Sequence, residues 1–124
     1  MDEQYEMPPG EVIIAPGVLA TIVTMTAQAQ QGVLRLSPRT PSPGLGRIRP
    51  RGATAEGLLI DVLDNGALAV EVHVIADPSA RLQDLGKVLQ TEISRALEHM
   101  AGMSVEAVNV FIDEVEFDGA EPKG

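Results

Sequence analysis

Cysteine and tryptophan are absent from this 124-residue chain, and its only aromatics are Tyr5, Phe111 and Phe117. Without cysteine there is no disulfide, no thiolate metal ligand and no cysteine nucleophile, which fits a reducing compartment. With so few rings, the core must be built from Val, Leu, Ile, Met and Ala. The two histidines, His73 and His99, lack a second histidine at ligand spacing, and no HExxH run occurs. No metal or cofactor is therefore expected, and both histidines are read as structural or surface groups. No serine sits in a GxSxG elbow. Carboxylate pairs such as Asp61 with Asp64 read as solvated surface rather than acid–base machinery, given 18 acids in the chain. Nothing in this inventory points to an enzyme.

Charge is missing in a second sense. Between Val12 and Leu34 the sequence "VIIAPGVLATIVTMTAQAQQGVL" holds no charged residue. A bilayer span needs roughly 20 predominantly apolar residues, but this window contains Pro16, Gly17, three threonines, three glutamines and Gly32. It is not a span, so it belongs to a folded core. Net charge is −9, unevenly spread. Arg35, Arg39, Arg47, Arg49 and Arg51 stand in a stretch without acids, giving +5 there and −14 elsewhere, which sums to −9. An acidic body with one basic segment disfavours non-specific nucleic-acid binding. No aromatic interleaves the arginines for base stacking either. The acidic start "MDEQYEMPPGE" lacks the basic and apolar regions of a secretory signal.

The periodicities give an order of elements. Val12, Ile13 and Ile14 form a β-rich run, expected as a short strand. Pro16 suits the first turn of a helix, and Val18, Leu19, Ile22 and Val23 form its buried stripe. The opposite side is small and uncharged, and is expected to be covered, for instance by a second copy. Gly32 is placed as the helix cap, and "GVLRL" is extended. Residues 37–57, rich in Pro, Gly and Arg, read as a mobile loop. Leu58, Ile60 and Val62 alternate, Asp64-Asn65-Gly66 turns the chain, and Leu68, Val70, Val72 and Val74 alternate again, a hairpin. Its other face carries Asp61, Glu71 and His73, expected to be wet, or at an edge or interface. Asp77 or Ser79 is a candidate cap for a long amphipathic helix. Leu82, Leu85, Leu89, Ile93, Leu97 and Met100 form its stripe, and Gly102 stops it. Val108, Val110 and Ile112 alternate in a last strand, while Val115 and Phe117 fall on the opposite parity. A bulge is therefore expected near Asp113–Glu114. The fold class is α+β, a single domain with a mainly antiparallel sheet and two helices packed on one face. A ferredoxin-like layout is compatible with this order. Residues 1–9 and 118–124 are expected to be disordered tails around a domain spanning 10–117.

Three blocks of the sequence resemble a known family. "GEVIIAPGVLATIVTMTAQAQQGVLRLS" is similar to the opening block of the bacterial alkaline-shock-protein family, the envelope stress response proteins. There a short strand leads into a V-[IL]-A-x-I helix. "DNGALAVEVHVIAD" is similar to that family's middle hairpin. "LGKVLQTEISRALEHMAGMSVEAVNVFIDEVEF" resembles its closing block, with Gly102, Val105, Val108, Asn109 and Val110 matching in order. The resemblance covers roughly Gly10 to Phe117. It implies a non-enzymatic scaffold or adaptor of envelope homeostasis, in the cytoplasm, associated with the membrane through a partner that has its own membrane segment. The Arg- and Pro-rich stretch 37–57 departs from the family, where a Gly-rich, Lys-containing segment is usual.

Two surfaces are marked for function. Thr21, Thr24 and Gln28, on the uncharged side of the first helix, are expected to mediate homo-oligomerisation. Arg39, Arg47, Arg49 and Arg51 are candidates for contact with a partner or an anionic phosphate or lipid. That second use is the alternative to the scaffold reading.

Overall fold

The computed structural model describes residues 9–41 and 52–117. Helix α1 spans Pro16–Gln28, and strand β1 spans Val33–Leu36. Strands β2, Gly52–Ala55, β3, Leu58–Val62, and β4, Leu68–Ala76, follow. Helix α2, Leu82–Ala96, runs directly into a π-helical turn, Leu97–Ala101, and strand β5, Val105–Val115, ends the domain.

Strand β4 is the centre of the sheet. β3 pairs antiparallel with its first half and β1 antiparallel with its last residues, so the two share one side of it. They meet at Gly57. The His73 amide donates to the Gly57 carbonyl, and the His73 carbonyl accepts from the Ser37 amide. Gly57 adopts φ +72°, and a Cβ there would lie 2.9 Å from three neighbouring atoms, so glycine is required. β2 pairs antiparallel with β3 at one edge. β5 pairs with the other side of β4 and is parallel to it; α2 supplies the crossover that a parallel pair needs. The sheet is thus mainly antiparallel, as the α+β class requires.

Alternation builds the core. Leu58, Ile60 and Val62 sit opposite Val72, Val70 and Leu68, and Val70, Val72 and Val74 sit beside Val108, Val110 and Ile112. These side chains form one cluster with Leu19, Ile22, Val23 and Ala27 of α1 and with Leu85, Leu89, Ile93 and Leu97. Both helices therefore cover the same face. Burial of these aliphatic side chains, at about 1.5–3 kcal/mol each, is the main favourable term.

Several expectations are corrected. Val12 and Ile13 form no strand; they are 93% and 81% exposed, and only Ile14 reaches the core. With that strand missing, the order α-β-β-β-β-α-β is not the ferredoxin-like one. β2 lies inside the stretch read as a loop. Its "GATA" carries no apolar alternation, and its partner β3 decides its conformation. α1 ends at Gln28 with Ala29 as its cap, and Gly32, at φ +104°, serves the turn into β1 instead. Asp77 accepts from the amide and hydroxyl of Ser79. It makes a turn before α2 rather than a cap, since the N-cap is Arg81 without a side-chain bond. The bulge is where the parity change places it. Val74 pairs with Ile112 and Ile75 with Glu114, leaving Asp113 as the extra residue. The expected tails lie outside the described residues, except for residue 9.

Candidate functional site

Two places on the described surface combine unusual residues. The first is a groove between the helices. Val18, Thr21, Ile22, Met25, Thr26, Ala29 and Gln30 of α1 and its end form one wall, and Glu92, Arg95, Ala96, His99 and Met100 form the other. Its volume is about 890 Å³. The α1 wall is uncharged because the whole helix is. The sequence period places Val18 in the buried stripe, but it is about half exposed, and Met25 is 65% exposed. The opposite wall holds the Glu92–Arg95 pair at 3.5 Å, so its acid and base offset one another.

The π-turn shapes the end of this groove. The stripe Leu85, Leu89, Ile93 and Leu97 is buried as the sequence spacing predicts, but Met100, the next in the pattern, is 68% exposed. A π-turn takes more residues per revolution than an α-turn, so Met100 falls short of the core-facing direction and comes to line the groove. Gly102, at φ +67°, then ends the helix. Leu82, at the other end of the stripe, is also exposed, in the first turn of α2 beside Val110 and Ile112.

The second place is the sheet face away from the helices. The alternation puts His73 on the face expected to be wet or at an edge or interface, and it is buried there, only 6% exposed. Its Nε2 lies 2.8 Å from Glu71 Oε2, and its Nδ1 lies 3.0 Å from both carboxylate oxygens of Asp113. The Phe111 ring stacks on the imidazole at 4.5 Å, placed by the β4–β5 register that sets His73 beside Phe111. Burial alone would lower the histidine pKa. The hydrogen bonds with Glu71 and Asp113 outweigh it and raise the pKa above 6.5. Burial would raise the Asp113 pKa, but bonds from His73 and Ser37, with the nearby Arg39 charge, hold it below 3.8. With a carboxylate against each ring nitrogen, the ring is tied on both sides and acts as a structural hub of this face. Asp61, on the same face, is buried as well.

The residues singled out in the sequence are not gathered in one place. Thr21 lines the groove, with its hydroxyl donating to the Gly17 carbonyl. Thr24 is half-buried on the flank that faces Ala53–Ala55 of β2. Gln28 is exposed in the last turn of α1. Arg39 is exposed and lies near Asp113. Arg47, Arg49 and Arg51 lie outside the described residues. Sequence spacing does not identify Met25 and Met100 as surface residues. The charge-free run around Met25 is the available signal, whereas a π-turn has none in sequence. Among the described residues, no group of three or more His, Cys, Asp or Glu could hold a metal ion. No helix of the described residues is long and apolar enough to cross a membrane.

By architecture the molecule is a small α+β domain, with a helical layer on one side of its sheet and an open groove in that layer. Residues 4–117 match the model of the alkaline-shock-protein family, which is described as having a cell envelope-related function. The chain belongs to this family, the one whose three blocks it resembles. No curated protein and no solved structure matches it.

Proposed function

We propose that this chain is a non-enzymatic scaffold or adaptor serving the cell envelope, working by self-association and by holding a membrane-anchored protein partner from the cytoplasmic side. The observation that carries this is α1. It is a surface helix without a single charge, with Val18 and Met25 exposed along an open groove. A helix facing only water ordinarily carries a charged stripe, and exposed apolar patches mark interaction sites. The non-catalytic part is supported by His73, whose ring nitrogens are both occupied by carboxylates.

Sedimentation velocity of the purified chain at tens of micromolar, in low and high salt, tests the self-association. Dimers or larger species insensitive to salt are expected, because an uncharged contact is not screened. A monomer under both conditions would refute it. Cross-linked purification from native cells, with membrane and soluble fractions kept apart, tests the partner; its expected place is the membrane fraction.

A further inference from the structure

We infer that the α1–α2 groove receives the same groove of a second copy, α1 crossing α1 about a two-fold axis, with Met25 of each copy seated against Met100 of the other. This rests on the self-association reading and names its surface. Three observations converge on it. The first is electrostatic. Copies with a net charge of −9 repel one another, least where the facing surfaces carry no net charge. The 13-residue α1 is charge-free, and the acid on the opposite wall, Glu92, is paired with Arg95.

The second observation is the π-turn. Such turns are rare and occur often at functional sites. This one turns an apolar side chain, Met100, out of the core pattern and into the groove. Methionine is unbranched and adapts to an opposing surface, and one stands on each wall. The third is the shape of α1. Val18, Thr21, Met25 and Ala29 form one stripe along the groove, with Gly17 and Ala20 beside it. Small residues let helix backbones approach closely, and a helix of this length offers about 20 Å of contact. A two-fold contact uses the same patch on both copies, so one event covers both unpartnered helices.

The test uses the full chain with Met25→Glu and Met100→Glu as the disrupting variants. Both positions are mostly exposed, so the variants fold, which circular dichroism verifies. Val88→Glu, at an exposed α2 position outside the groove lining, is the control. Sedimentation velocity should show dimerisation weakened on the order of 10- to 100-fold in each groove variant and unchanged in the control. The chain has no cysteine, so Thr21→Cys, near the middle of the stripe, reports the geometry directly. Mild oxidation should link it to its own copy, and Val88→Cys should not link. A wild-type dimer that both glutamate variants leave intact would overturn this surface while leaving self-association standing. A wild-type monomer would remove both.

Discussion

Replacing His73 probes the polar face of the sheet most directly. His73→Ala deletes a buried ring, two hydrogen bonds at 2.8 and 3.0 Å and a ring stack at 4.5 Å. It leaves Glu71 and Asp113 without the ring that bridges them. Both carboxylates keep some exposure, 32% and 18% of their side chains, so water recovers part of the loss. The expected cost is about 2–3 kcal/mol, or a melting temperature lower by about 10 °C. The pH dependence is the sharper readout. The folded pKa of His73 lies above its ordinary 6.5, so the stabilisation is complete below that value and is lost as pH rises through the folded pKa. Asp113 is shifted below 3.8; its share is present above that value and lost as pH falls through its folded pKa. Urea denaturation of the wild type should therefore lose stability as pH rises above 6.5 and through the raised His73 pKa, and His73→Gln should remove that loss. Equal slopes in the two proteins above pH 6.5 would refute the upward shift of the His73 pKa.

Glycines provide an opposed pair. Gly57→Ala should cost about 3 kcal/mol or more, from its positive φ and three contacts at 2.9 Å. Gly86→Ala, in the interior of α2 with open space at its Cβ, should stabilise by about 0.5–1 kcal/mol; thermal melts separate the two. Leu89→Ala, at a fully buried position, should cost about 3 kcal/mol in chemical denaturation. Arg35→Ala breaks an exposed pair with Glu116 at 2.9 Å. It should change stability by less than about 1 kcal/mol, with the effect vanishing in high salt.

Much of the sheet is legible because its signal is periodic. The alternation of Leu58 to Val74 around Asp64-Asn65-Gly66 gives β3, the turn and β4, and the parity change after Ile112 marks the bulge. Val12–Ile14 shows the limit of that signal. A β-branched run acquires strand structure only where an edge is free to pair with it, and among the described residues none takes it. β2 is the reverse case, a run without alternation made a strand by β3. Most of the site is hidden for a similar reason. Asp113 is 40 residues from His73, and only the parallel β4–β5 register sets Phe111 beside that ring.

Residue type and local period were enough to set the composition of the core, the helical stripe of α2, the hairpin, the lack of cysteine chemistry and the charge-free run that becomes α1. Each is a local property, fixed by the side chain itself or by a period of two or 3.6. The meeting of distant segments made β4 central, buried His73 between two carboxylates, and set Met25 and Met100 on facing walls of one groove. No local pattern encodes which segments meet. Nor does it encode a π-turn, whose one extra residue redirects a side chain that the α-helical period would have buried.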